Sequence, residues 1–378
     1  MRNPLPEEVY LQRTVYREPD VRGDYFRDQT AIIHSTAFRR LKKKTQVFYA
    51  PDNDHICTRI EHVLHVATIS AAICRGLQLS GWQLNPDMAY AIGLGHDLGH
   101  TPFGHAGEKA LDDLLGGNNA FVHEINSYRI VSKLANKGYG LNLTYGVCDG
   151  IICHNGERDE QFLFPDPVQK DLDTITNRKV SGSSYEACIV RMADKIAYLG
   201  RDLEDALMAG LIHKNDIPAQ MKTRLGTNNG EIIKSLVLDL IESSKENSFI
   251  GFSNEKYTWM TELKRFNYEH IYFHKALQTY EQFCTNIIVR LFEHFSQLFD
   301  TYAFDMIAYQ NLHLAIDRQF GDYLAGMKHF YEKHNEKTNQ IISDFISGMT
   351  DSYCIEAARQ ITIPVPVLFS KSSYSNTD

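Results

Sequence analysis

What this 378-residue chain lacks narrows its function before any motif is found. Its seven cysteines are an odd number and none stands in a C-x-x-C pair, so neither a disulfide scaffold nor a thiolate zinc site is expected. The chain reads as cytoplasmic. No apolar run approaches the ~18 residues of a membrane span, and Met1-Arg2-Asn3-Pro4-Leu5-Pro6 begins no signal-peptide stretch. No membrane partner is expected. Positive charge is also short: 39 Lys and Arg against 47 Asp and Glu leave a net −8, which disfavours duplex nucleic acid unless basic residues cluster. The G-x-x-x-x-G-K-[ST] loop and the G-x-S-x-G elbow are missing, and Gly93-Leu94-Gly95 lacks the third glycine of a dinucleotide loop. His123-Glu124 is not followed by the second histidine of a zinc protease.

What the chain has in excess is histidine, sixteen in all, with His55, His62, His65, His96, His100, His105 and His123 crowded into one stretch. Imidazole binds metals and exchanges protons near neutral pH, so this crowding marks a reaction centre. Around it the apolar residues recur at helical spacing, as in Ile33, Ala37 and Leu41 and again in Ile60, Val63, Ala67, Ala71 and Cys74. Pro86-Asp87 starts an apolar helix that stops at Gly99, and further helices are predicted near 107–116, 122–137, 184–210, 231–245, 258–298, 302–332 and 335–348. Strand signals are few; Ile361 to Phe369, with two prolines, fits an edge strand or an extended tail. Residues 156–184 and 225–230 read as loops of the kind that form lids or binding segments. The expected fold is mainly α, with few short strands. Segment 1–24 leads into a helical core over 25–210, and a helical C-terminal region over 211–378 packs on that core.

Three elements carry chemistry. Arg59 and His62 stand three apart on one predicted helix and so share a face. The doublet His96-Asp97 closes an apolar helix at a glycine turn, and Asp194 is a carboxylate inside an otherwise apolar-periodic helix. Two imidazoles and two carboxylates form a mixed donor set suited to Mn, Mg, Fe or Zn with positions left open, as a catalytic site needs.

These residues resemble the HD-domain phosphohydrolases, and within them the deoxynucleoside triphosphate triphosphohydrolases, the dGTPase-like family. The resemblance rests on Phe38-Arg39-Arg40-Leu41 with Thr45-Gln46-Val47-Phe48, on Thr58-Arg59-Ile60-Glu61-His62, and on the run from Gly95-His96-Asp97 to Gly107-Glu108. Gly140-Leu141-Asn142-Leu143-Thr144 and Ala193-Asp194-Lys195-Ile196-Ala197-Tyr198 complete it, and Tyr268-Glu269-His270-Ile271-Tyr272 extends it loosely. It implies an HD-domain helical core and hydrolysis of dGTP or several dNTPs to deoxynucleoside and inorganic triphosphate. It further implies His62, His96, Asp97 and Asp194 as ligands of a divalent metal ion, with Mn or Mg favoured. His100, His105, Glu108 and His123 match the catalytic positions, and Gln46, Arg59, Lys195, Tyr198 and Asp202 the substrate contacts. One departure is His123-Glu124-Ile125-Asn126-Ser127, where many relatives read His-Asn-x-x-Ser. The family also implies a closed homo-oligomer, often a hexamer, while a regulatory nucleotide as a further partner is left open by the basic run Arg39 to Lys44.

The chemistry has its own logic. Release of whole triphosphate makes the nucleoside 5′-oxygen the leaving group, a poor alkoxide that needs a proton as its bond breaks. His105 with Glu108 three residues on forms an acid dyad, while His100 and His123 place water or a phosphate oxygen. Tyr198 and Asp202 lie four and eight residues past Asp194, on the same helix face. A tyrosine ring there leaves no room for a 2′-hydroxyl, and Asp202 with Gln46 bonds a 3′-hydroxyl; Arg59 and Lys195 neutralise phosphate. The run Arg39, Arg40, Lys42, Lys43 and Lys44 stays open between a solvated face, a phosphate site and a track for single-stranded nucleic acid. Other readings are an HD phosphohydrolase acting on a monophosphate, cyclic or alarmone nucleotide, and a nucleotide-binding or single-strand-binding regulator.

Overall fold

Several helices of the core start at capping residues. The computed structural model describes residues 1–48, 55–155 and 160–363. In chain order come α1 (Glu7–Tyr10), α2 (Asp24–His34), α3 (Thr36–Arg40), α4 (Arg59–Gln78), α5 (Pro86–Gly95), α6 (His105–Leu114) and α7 (His123–Arg129). Then follow α8 (Ala135–Gly138), α9 (Tyr145–Ile152), α10 (Tyr185–Met208), α11 (Ala219–Leu225) and α12 (Asn229–Ser244). The C-terminal region adds α13 (Asn254–Asn267), α14 (Lys275–Tyr302), α15 (Met306–Gln310), α16 (Ala315–His334), α17 (Thr338–Ser347) and α18 (Asp351–Thr362). Glu61 accepts from the Thr58 N–H at 2.7 Å to open α4, Asn85 caps α5 ahead of Pro86, and the Ser184 hydroxyl accepts from Ala187 to open α10. Among the described residues the only sheet is an antiparallel pair, β1 (Phe162–Leu163) with β2 (Ile250–Gly251), Phe162 facing Gly251 and Leu163 facing Ile250. The fold is mainly α.

Three predicted helices are interrupted, each for a local reason. The stretch 258–298 divides because the chain widens into a π turn at Tyr268–Tyr272 before His274 caps α14. The stretch 302–332 breaks where Ala303 takes a φ of 43° and Asp305 accepts from the N–H groups of Ile307 and Ala308 to start α15 afresh. The stretch 122–137 ends in a π turn at Ile130–Leu134 followed by Asn136 and Lys137 in the left-handed region. Ile361 and Thr362 close α18, so the expected strand does not begin there; its part beyond 363 lies outside the described residues, as do the tail and residues 156–159 of the first loop.

Two apolar cores hold the helices. The first packs Val63 and Ala67 of α4 against Ile92 of α5, Ile151 of α9, Ile196 of α10 and Leu236 of α12. The second is aromatic, with Leu291 and Phe295 of α14, Phe320 of α16 and Phe345 of α17, and it also takes in Ala110 and Leu111 of α6. Each such fully buried Leu or Phe contributes about 1.5–3 kcal/mol. α6, which carries His105 and Glu108, is therefore seated by the C-terminal helices. Gly99 lets α7 come close to the turn after α5: a Cβ there would lie 2.1 Å from the Ser127 nitrogen.

Candidate active site

The ends of α4, α5, α6 and α7 and the middle of α10 converge on one cavity of about 630 Å³. His62 Nε2 lies 3.0 Å from Asp194 Oδ1, and ligand atoms of His62, His96 and Asp194 all fall within 4.8 Å of one another. Asp97 joins them, Oδ1 at 3.6 Å from His96 Nε2 and Oδ2 at 3.8 Å from His62 Nε2. The four donors thus meet from three helices. His96 Nδ1 sits 2.7 Å from the Gly93 carbonyl, which assigns the ring proton to Nδ1 and leaves Nε2 a lone-pair donor. That buried Nε2 has no hydrogen-bond partner. An orphaned imidazole nitrogen beside two carboxylates fits a divalent cation, so the cluster is able to hold a metal ion.

Arg59 is buried and grips the same carboxylate, Nη1 to Asp97 Oδ2 at 2.6 Å, while its Nη2 donates to the Thr45 carbonyl at 3.0 Å. Burial would raise the Asp97 carboxyl, but its contacts with His100, His96 and the Arg59 guanidinium outweigh that and hold Asp97 well below the usual range.

Beside the cluster stands a second group. The Glu108 carboxylate receives His123 Nδ1 at 3.0 Å and His105 Nδ1 at 3.3 Å. Burial alone would discharge His123; the carboxylates of Glu124, Glu108 and Asp97 overcome it and push His123 up to about 10. His100 stacks on His123 with ring centres 3.8 Å apart and places Nε2 3.2 Å from Asp97 Oδ1. Its own charge is suppressed by burial and by Arg59 and His123. His105 differs, with a side chain 65% exposed at the cavity.

Gln46, Tyr198 and Asp202 line the same cavity. Tyr198 and Asp202 follow Asp194 along one face of α10, and Tyr272 donates to Asp202 Oδ2. Burial pushes the Asp202 carboxyl up to about 7. Lys195 is also buried, but one residue past Asp194 it points about 100° round the helix, and it is not part of the cavity wall. Arg201 turns to Asp205 at 3.1 Å.

Sequence reasoning missed several neighbours. His154 is buried with Nδ1 2.6 Å from the Ile151 carbonyl and Nε2 3.3 Å from His123 Nε2. The signal was available, since His154 follows the apolar helix α9 as His96 follows α5, each bonding the carbonyl three residues back. Arg178, from the loop expected as a binding segment, donates to Glu108 Oε1 at 2.6 Å and pairs with Glu124 at 3.0 Å. Lys264, Phe273 and Tyr280 join Tyr268 and Tyr272, from the stretch that loosely extended the resemblance, in a C-terminal wall.

The HD domain family matches residues 59–199, and the phosphohydrolase-associated domain family matches residues 250–331. Fold, donor cluster and these matches define a phosphohydrolase of the HD class. Over 92% of its length the chain is 35% identical to a deoxyguanosinetriphosphate triphosphohydrolase-like protein of Caldanaerobacter subterraneus, covering 87% of that protein. A protein of the same description from Desulfatibacillum aliphaticivorans is 35% identical over 92% of this chain and 90% of its own. The chain belongs to the deoxyguanosinetriphosphate triphosphohydrolase-like family. A solved phosphohydrolase from Bacteroides thetaiotaomicron, 17% identical, aligns with a TM-score of 0.46 over 87% of this chain and 67% of that one. Among the described residues no helix is long and apolar enough to cross a membrane.

Proposed function

We propose that this protein hydrolyses deoxynucleoside triphosphates to deoxynucleoside and inorganic triphosphate. The observation that carries the reading is the shared face of α10, which sets Asp194 in the donor cluster and Tyr198 and Asp202 further along the same cavity. His62, His96, Asp97 and Asp194 would hold a divalent ion, Mn or Mg ahead of Fe or Zn. When bound, it supplies charge neutralisation at a phosphate and acidification of water. The chain's own residues do the rest. Water attacks the α-phosphorus, the bond to the 5′-oxygen breaks, and His105 delivers the proton that the leaving alkoxide needs, its ring held by Glu108 at 3.3 Å. His100 and His123 place the water and a phosphate oxygen.

Arg59 acts on substrate mainly through Asp97, which it fixes at 2.6 Å. Lys195 contributes positive potential from within α10. The buried Gln46 Oε1 and the Asp202 carboxyl are available to a 3′-hydroxyl. Four residues of helix span about 6 Å, which is the distance from an α-phosphate to its sugar. Tyr198 is therefore the steric gate against a 2′-hydroxyl.

Incubation with each dNTP and Mn or Mg, with the phosphate product identified, tests the reaction; release of pyrophosphate or orthophosphate would refute it. For the gate, Tyr198→Ala should lower the dNTP-to-NTP ratio of kcat/KM by about tenfold or more, with metal content retained. An unchanged ratio in the folded variant would place sugar selection elsewhere. The assembly is proposed as a closed homo-oligomer in the cytoplasm, with a hexamer as one size it could take and a regulatory nucleotide as a further partner. Light scattering checks its size.

A further inference from the structure

The start of α18 reaches back to two loops that border the cavity. Asp351, the first residue of α18, is 2% exposed, yet its carboxylate accepts three hydrogen bonds from two separate loops. Oδ2 takes the Thr45 N–H at 2.8 Å and the Thr45 hydroxyl, and Oδ1 takes the Phe103 N–H at 2.9 Å. Beside it, buried Lys44 donates from Nζ both to the His100 carbonyl and to the Ser347 carbonyl, the latter at 2.8 Å.

Both loops matter to the site. Thr45 uses its carbonyl to accept from Arg59, which in turn holds Asp97, and its neighbour Gln46 lines the cavity. Phe103 has a φ of 65°, a region that a bulky side chain rarely occupies, and it is followed by Gly104 at 59° and then by His105 at the start of α6. Such a turn persists only where surrounding bonds over-determine it. The Asp351 bond to the Phe103 N–H is one of them, and the Thr101 hydroxyl bond to the Gly104 carbonyl at 2.9 Å is another.

We infer that Asp351 is a positioning residue for the reaction: it locks the Thr45–Gln46 loop to the Phe103–Gly104 turn and so sets where His105 presents its ring. Asp351 touches neither reacting atoms nor metal donors. Its effect on turnover passes through His105, and the inference therefore rests on the reading of His105 as the acid.

The test is a double-mutant cycle. Asp351→Asn keeps the volume but replaces one acceptor oxygen by an amide that faces a donor. In the metal-loaded full chain it should lower kcat by roughly 10- to 100-fold, with KM changed less and the circular dichroism spectrum unaltered. In a His105→Ala background the same substitution should lose most of that effect, since the group it positions is gone. Equal losses in both backgrounds, or full kcat in folded Asp351→Asn, would overturn the inference. If Asp351→Asn does not fold, Thr45→Val removes the hydroxyl bond alone and should show the same masking by His105→Ala. Full turnover of His105→Ala by itself would instead remove the acid assignment, and with it the role given to Asp351.

Discussion

Asp97→Ala should strip the protein of bound metal and lower kcat/KM by roughly 10³-fold, about 4 kcal/mol of transition-state stabilisation. The size of the effect follows from how many groups meet at this one carboxylate. Oδ2 takes Arg59 at 2.6 Å, Oδ1 faces His100 at 3.2 Å, and His96 and His62 lie 3.6 and 3.8 Å away. Its removal takes one donor from the cluster and leaves the Arg59 guanidinium buried without its carboxylate, a loss of about 3–5 kcal/mol in stability. Asp97→Asn keeps the volume and an acceptor oxygen for Arg59, so it removes the anionic donor with less disturbance of packing. Elemental analysis beside turnover decides the matter: a variant that keeps its full metal equivalent would show that the four residues are not a ligand set.

Glu108→Gln should leave metal content intact and lower kcat by roughly 10²–10³-fold, the range of a lost general acid. The carboxylate is held well below its ordinary range because His123 and His105 outweigh the cost of burying it. It therefore stays ionised and accepts from both rings. On the proposed mechanism, an amide at this position would release His105 from the orientation in which it offers its proton to the leaving oxygen. Arg178, which also donates to Glu108, keeps its second partner in Glu124. The diagnostic comparison uses an aryl phosphate ester, whose leaving group needs no proton and whose hydrolysis should fall far less. Equal losses on both substrates would make Glu108 a determinant of binding rather than of proton delivery.

Much of the scaffold was legible because its signals are local. Proline at the start of α5 and apolar spacing along α4 and α10 act over three or four residues, the range within which sequence reports on backbone. The same holds for the face of α10 that carries Asp194, Tyr198 and Asp202. The interruptions at Tyr268–Tyr272 and Ala303 were not legible. An amphipathic pattern continues across a π turn, and only the wall that Tyr268, Tyr272 and Phe273 build shows why the helix must widen there.

The sequence by itself determined a mainly α chain and which residue types could bind metal and move protons, because helix periodicity and side-chain chemistry are properties of short segments. Tertiary structure alone decided which of those residues meet. It brought His154 to His123, Arg178 to Glu108, and Asp351 to Thr45 and Phe103 across 306 and 248 residues. Lys195 shows the opposite case, because one residue past Asp194 the helix itself turns it about 100° away from the cavity. The physical reason is that contacts at such separations come from how two apolar cores bury their helices against one another, and no spacing along the chain encodes that packing.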